Sequence, residues 1–216
     1  MTHACGFIVL AVTKVGDSSL VLHTLSAEWG RRSFIVGVSR KIPGGGLQPL
    51  SLLEAEVVEN PKSELWRLNS VSVPEPLAGI RSSIYKNSMT MFMSEVLYRA
   101  IRDGEGAGDF YEWCRRSILT LDALQSDFSN YHLRFLLELA VELGFSPTIG
   151  DLAPFAGENY ALLSRFLESS AAESLLIPMS GAQRSDVASL LLDYISFHTE
   201  SRLEIRSLSV LRELYK

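Results

Sequence analysis

The chain has 216 residues, 47% of them hydrophobic and 21% charged, with a formal net charge of −5. That composition excludes a disordered chain, and the length suits one large or two small domains that fold without covalent staples. No apolar run approaches the roughly 20 residues of a membrane span, and the N-terminus lacks the basic start of a signal peptide, so a cytoplasmic protein is expected.

The first 75 residues read as strands. Apolar runs at 7–12 and 20–25 are separated by Gly16-Asp17-Ser18-Ser19, and the second ends at Glu28-Trp29-Gly30. At 33–38, Phe34, Val36 and Val38 share one face. Pro43-Gly44-Gly45-Gly46 cannot hold regular structure and marks a loop. Residues 53–57 alternate apolar with acidic, as a half-exposed strand does, and 65–73 give a weaker fifth strand. Five short strands at regular spacing suggest a closed OB-type barrel. Pro74-Glu75-Pro76 ends them, which divides the chain at 1–75 and 76–216.

Beyond that point the period becomes helical. Tyr85, Met89, Phe92, Val96 and Ala100 form one stripe; Phe110, Trp113, Cys114, Ser117, Ile118 and Leu121 form another. Tyr131, Phe135, Leu136, Leu139, Ala140 and Leu143 form a third, stopped by Gly144 and Pro147. Val187, Leu190, Leu191, Tyr194, Ile195 and His198 form a fourth. A weaker helix is expected at 158–169 and a short one at the end. The fold class expected is α+β, a five-stranded barrel followed by an all-helical part.

No catalytic signature is present. Gly44-Gly45-Gly46 is not followed by Lys-Ser/Thr and opens no helix, and no G-x-S-x-G elbow occurs. Cys5 and Cys114 are too few for a zinc site and are read as reduced thiols. His3, His23, His132 and His198 show no ligand spacing. Glu54 and Glu56 share a strand face, where solvated carboxylates are the commoner case. The expectation is therefore a binding protein with no metal, cofactor or catalytic residue.

Charge is unevenly distributed. Residues 1–50 hold Lys14, Arg31, Arg32, Arg40 and Lys41 against Asp17 and Glu28, a balance of +3, which leaves −8 for the rest. Lys14, Trp29, Arg31, Arg32, Arg40 and Lys41 are the candidate DNA-binding set, since cations attract phosphates and aromatic faces stack on unpaired bases. The competing reading is scattered surface charge, with Phe34 in the core and Trp29 packing locally; residues 1–76 as a whole are formally neutral. Arg134 lies in a helix apolar on most sides and needs a partner. Glu138, four residues on, would make an internal pair; a carboxylate from another chain is the alternative.

Four stretches carry a resemblance. They are Ala11-Val12 through Gly16-Asp17-Ser18-Ser19 to Ser26-Ala27-Glu28-Trp29-Gly30; Val36-Gly37-Val38-Ser39-Arg40 with Leu47-Gln48-Pro49-Leu50; Leu133-Arg134-Phe135-Leu136-Leu137-Glu138-Leu139 with Leu143-Gly144-Phe145-Ser146-Pro147; and Arg206-Ser207-Leu208-Ser209-Val210-Leu211-Arg212-Glu213-Leu214. In order and spacing the chain resembles the RecO family of recombination mediators. The resemblance implies an N-terminal OB-fold and a helical C-terminal region. It implies binding of single- and double-stranded DNA, annealing of complementary strands, and recognition of the acidic, Phe-ending tail of the single-strand DNA-binding protein SSB. It also implies work with RecR in loading RecA onto SSB-coated DNA. Arg134 matches the Arg before the family's Phe-x-x-x-Leu helix, which favours the tail-carboxylate reading. Some members carry a four-cysteine zinc site, which two cysteines cannot supply, and many are more basic. A protein-only interaction module on an OB-type scaffold is the alternative function.

Overall fold

The computed structural model describes residues 2–37 and 47–215. Strands β1 (Thr2–Val15), β2 (Ser19–Ser26), β3 (Gly30–Gly37), β4 (Leu52–Val58) and β5 (Trp66–Ser72) close into a barrel in the order β1-β2-β3-β5-β4. All neighbours are antiparallel except β3 and β5, which run parallel. This is the OB-type barrel expected. The glycine loop at 43–46 lies outside the described residues, as does Val38.

β1 is longer than the 7–12 stretch because it serves two neighbours. Its first half pairs with β4 and its second half with β2, and a register shift between Val9 and Ala11 lets it bend from one to the other. Phe7, Val9, Leu22, Phe34, Val36, Leu53, Val57 and Leu68 are buried in the barrel interior. Glu54 and Glu56 alternate with these and are exposed.

Nine helices follow among the described residues: α1 (Ala78–Arg81), α2 (Ile84–Ala100), α3 (Asp109–Ala123), α4 (Tyr131–Glu142), α5 (Ile149–Ala156), α6 (Tyr160–Glu168), α7 (Ala171–Leu175), α8 (Gly181–His198) and α9 (Leu208–Leu214). No helix is long and apolar enough to cross a membrane among the described residues. The stripes of α3 and α4 are buried as their spacing requires, save that Leu143, past the end of α4, is half-buried. Three short helices, α1, α5 and α7, have too little periodicity to be seen from spacing. Two of them begin with reciprocal caps, Thr148 with Asp151 and Ser170 with Glu173, a signature visible in sequence.

Two stripe residues depart from expectation. Tyr85 is exposed and its neighbour Lys86 is buried. The Lys86 ammonium donates to the carbonyls of Asp122 (2.9 Å) and Leu124, so it caps the C-terminal end of α3 while its stem fills the core. His198 is exposed at the end of α8, against the rings of Tyr194 (4.3 Å) and Phe145 (5.0 Å).

The barrel is built into the helical body. Outward-facing Ile8, Leu10, Leu25, Leu50 and Leu52 belong to the same apolar cluster as Met89, Phe92 and Met93 of α2. A second joint is polar. The Arg31 N–H donates to the Glu105 carbonyl (2.6 Å) and the Gly104 N–H donates to the Arg31 carbonyl (2.8 Å). Gly30 permits this approach: its φ is +61°, and a Cβ there would collide with the Glu105 carbonyl.

At the far end, Glu95 of α2 accepts hydrogen bonds from Arg206 N, Ser207 N and Ser207 Oγ, which ties α9 down at its start. Beneath α9, His132 is buried between Phe92 and Tyr215. Burial, followed by the charge of Arg184, holds its pKa down at about 3.

Both the Gly30 joint and the His132 site should be visible in stability measurements. Gly30→Ala combines a left-handed backbone with a backbone collision, so it should cost about 2–3 kcal/mol, read as a lower denaturation midpoint. For His132, the unfolded chain takes up a proton near pH ~6.5 while the folded chain refuses it until about pH 3. Its contribution is whole above the unfolded value and is eroded as pH falls through that window. His132→Phe should flatten the acid side of the stability–pH curve between about pH 6.5 and 4 by up to ~1.4 kcal/mol per unit; an unchanged slope would refute this.

Candidate nucleic-acid interface and partner groove

Strand period decides where the arginines go. In the β2–β3 pairing, Leu22 faces Phe34, Thr24 faces Arg32 and Leu25 faces Arg31. Phe34 and Val36 point inward, so Arg32 shares their face at the barrel rim and Arg31 takes the opposite, outer face. The two cannot form one patch.

Arg31 is engaged with the helical body. Its Nη1 donates to the Ile101 carbonyl (3.0 Å) and pairs with Asp103 Oδ1 (3.1 Å), and its guanidinium carbon lies 4.5 Å from the Tyr98 ring centroid. The side chain is 17% exposed. Beside it, His23 shares hydrogen bonds with Ser33 Oγ (2.8 Å) and Thr13 Oγ1 (3.1 Å). Burial first, then the charge of Arg31, lowers its pKa. Arg31 thus joins barrel to helices, on the opposite face from Arg32.

Arg32 has a different setting. Its guanidinium carbon lies 3.6 Å from the Trp66 ring centroid, and among the described residues it forms no ion pair. Trp66 donates its indole N–H to the Asn60 carbonyl (3.2 Å) and meets Trp29 edge-on at 6.1 Å. Trp29 stacks on Phe7 (6.2 Å) and meets Phe34 edge-on (5.9 Å). The two tryptophans, both half-buried, therefore seal one end of the barrel, with Arg32 laid over the outer one. Phe34 is core, as its alternation with Val36 requires.

Lys14 is exposed near the tip of the β1–β2 hairpin, opposite Leu20. Four residues of β2 separate it from the position facing Arg32, which is about 13 Å along the strand. Arg40 and Lys41 lie outside the described residues. Of the described members of the candidate set, Trp29 and Arg32 meet at Trp66, while Lys14 and Arg31 lie apart from them. Sequence reasoning misses Arg67, which is exposed next to Trp66 in β5, opposite Ile35 in the parallel β3–β5 pair, and so takes the outer face where Trp66 takes the inner one. Only closure of the barrel brings it near β3, so sequence distance hides it.

In the helical body, α3, α4 and α7 enclose a groove of about 450 Å³. Its floor includes Trp113 and Phe135, stacked at 5.3 Å, with Leu124 and Leu175 beside them. Arg134 borders it, and its Nε donates to Glu138 Oε1 at 2.7 Å, with the side chains 23% and 33% exposed. Glu138 Oε2 also accepts the Trp113 indole N–H (3.3 Å). The internal pair is formed, yet Arg134 still lines both this groove and a smaller cleft of about 210 Å³ on its other side. Cys5 donates to Glu28 (3.4 Å), and burial, then that carboxylate, raises its pKa to about 11; buried Cys114 is pushed up as well. Neither is an activated thiol. Among the described residues, no group of three His, Cys, Asp or Glu is placed to hold a metal ion.

Comparison with known proteins agrees with this architecture. Residues 1–77 match the family model described as Recombination protein O N terminal, and residues 81–151 match Recombination protein O C terminal. Together these cover about two thirds of the chain. Similar relatives, each named DNA repair protein RecO, include those of Bacteroides fragilis and Phocaeicola vulgatus. Both are 29% identical, over 96% of this chain and 97% of the relative. That of Porphyromonas gingivalis is 28% identical over 88% of this chain and 90% of the relative. A barrel of OB topology at the N-terminus, a helical remainder, and family matches in both parts make this chain a member of the RecO family, with a role in DNA repair and recombination.

Proposed function

We propose that this chain is a non-catalytic recombination mediator of the cytoplasm. Its barrel, residues 1–75, binds and anneals DNA strands, and its helical part, residues 76–216, binds protein partners. In this reading it binds single- and double-stranded DNA. It takes the acidic tail of SSB into the α3–α4–α7 groove beside Arg134, and with RecR helps load RecA onto SSB-coated strands. The family membership supports the role, and one observation carries the DNA reading. Arg32 lies over Trp66 at the barrel rim with no carboxylate partner among the described residues. A cation on an aromatic face offers a phosphate contact and a stacking surface at one spot. Exposed Lys14 extends the contact along the barrel, exposed Arg67 adds a cation on the outer face of β5, and Arg40 and Lys41 complete the proposed set. Trp29 supports Trp66 from below.

A second reading has its own support. The formal neutrality of residues 1–76 and the engagement of Arg31 favour a barrel that serves only as a scaffold for protein contacts. A gel shift with an unstructured oligonucleotide at low salt separates the two readings.

Two measurements test the DNA reading more closely. Replacing Lys14, Arg32 and Arg67 together with alanine should flatten the dependence of log affinity on log salt for single strands by about 0.7 for each phosphate that is no longer neutralised. The same slope in wild type and variant would remove these cations from the interface. Unpaired bases stacking at Trp66 should quench tryptophan emission on titration with an unstructured oligonucleotide. In Trp66→Phe most of that quenching should disappear, and undiminished quenching would place the bases elsewhere.

A further inference from the structure

Four rings meet where α8 ends. Phe197 is 70% exposed and stands against half-buried Phe155 of α5 (6.3 Å) and exposed His198 (5.3 Å), with buried Tyr194 behind Phe155 (6.1 Å). A lone exposed phenylalanine is ordinary, but a contiguous aromatic patch marks a contact surface. His198 joins the patch to a cleft of about 360 Å³ between the end of α8, the loop after α2 and the turn after α4. On the cleft side its imidazole lies 5.0 Å from Phe145. Charge around this corner is mostly negative. Exposed Glu105 and Glu200 line the cleft against one cation, Arg102. Arg102 is turned to the Thr199 carbonyl (3.5 Å), and neither carboxylate forms an ion pair among the described residues. Asp193, one helical turn before Phe197, is exposed and also without an ion pair there, and Asp151 of α5 lies within electrostatic reach of His198.

We propose that this corner docks a basic segment of a partner protein: a lysine or arginine enters the cleft between Glu105 and Glu200, and an apolar side chain beside it covers the Phe197 ring. Both halves of the surface call for such an occupant. Carboxylates without counter-ions attract a cation, and opposed charge selects one partner over others. Phe145 gives that cation, or the methylene stem behind it, a ring face to lie on. Phe197 and Phe155 offer apolar area to the neighbouring side chain. A nucleic-acid backbone would be repelled here, and so would an acidic peptide. The ligand class therefore differs from those proposed for the barrel rim and for the α3–α4–α7 groove, and the inference stands or falls without either. A second copy of this chain is disfavoured, because a twofold contact would set the same carboxylates against each other.

The test is a fluorescence-anisotropy titration of the full chain with a short labelled peptide of leucine and lysine patterned as an amphipathic helix. Wild type should bind it and should not bind a twin with glutamate in place of lysine. Glu105→Gln combined with Glu200→Gln should weaken binding about tenfold, the loss of one charge-assisted contact. Phe197→Ser should weaken it by about the same factor through lost apolar burial. Glu54→Gln combined with Glu56→Gln removes the same charge from the exposed face of β4 and, being distant and screened, should leave the affinity within about twofold. If this barrel pair weakens binding as much as the cleft pair, the peptide answers only to net charge and the proposal falls. It falls as well if wild type does not bind the lysine peptide, or if Phe197→Ser binds as wild type does. Sedimentation velocity addresses the remaining occupant: a wild-type dimer that Phe197→Ser dissociates would make this face a contact between copies and overturn the partner reading. All the substituted residues are exposed, so the variants should fold, which circular dichroism checks.

Discussion

Adjacent residues of a strand must face opposite sides of the sheet, and at Arg31 and Arg32 that rule divides the work of the barrel. Arg31 faces the helices and is held by Asp103, the Ile101 carbonyl and the Tyr98 ring. Arg32 faces the rim and lies over Trp66. Gly30, just before them, lets the backbone come close enough to the loop after α2 for two further hydrogen bonds. One turn thereby fixes the barrel to the body and lays a half-buried cation over Trp66 at the rim. Had the register slipped by one residue, the two side chains would have exchanged faces and the joint would be without its arginine.

The helical body meets a different constraint, that of satisfying polar groups inside an apolar mass. Lys86 closes the end of α3, and Glu95 receives the backbone at the start of α9. Burial raises the pKa of Glu95, but hydrogen bonds from the Ser207 side chain and backbone and the Arg206 backbone, with the charge of Arg99, lower it further, and the net shift is downward. Asn130, buried before α4, donates to the carbonyls of Ser174 (3.1 Å) and Ile177 (2.8 Å) and accepts from Arg184 (2.9 Å). These bonds hold α4 against α7 and α8. The groove beside Arg134 is bounded by these packed helices, and the rings of its floor, Trp113 and Phe135, are buried.

For an acidic protein, nucleic-acid binding depends on where the cations sit more than on their number. The formal charge of −5 spread over the surface disfavours general association with DNA. A local site at the barrel rim works only within about a Debye length, ~8–10 Å at physiological salt, where its own cations outweigh distant carboxylates. Lys14 and Arg32 stand farther apart than that length, so under the proposed DNA reading they act as separate contacts and not as one concentrated patch.

Period and punctuation alone fixed the order of events along this chain: strands to Pro74, then the apolar stripes of α3, α4 and α8, with the stop at Gly144 and Pro147. They fixed that Phe34 is core, because residues two apart share a face. The short helices α5 and α7 begin at capping pairs on Thr148 and Ser170, but a helix of one or two turns gives too few repeats for a stripe. Tertiary structure decided the rest. Which of two neighbouring arginines stays free depends on what stands against each face, and that is an α2 loop seventy residues away from Arg31. Whether Lys86 or Tyr85 is buried depends on α3 ending where an ammonium can reach its carbonyls. At the groove, Glu138 is committed to two partners, Arg134 and Trp113, that its helix position alone does not reveal. Contacts of this kind join residues far apart in the chain, and local pattern carries no record of them.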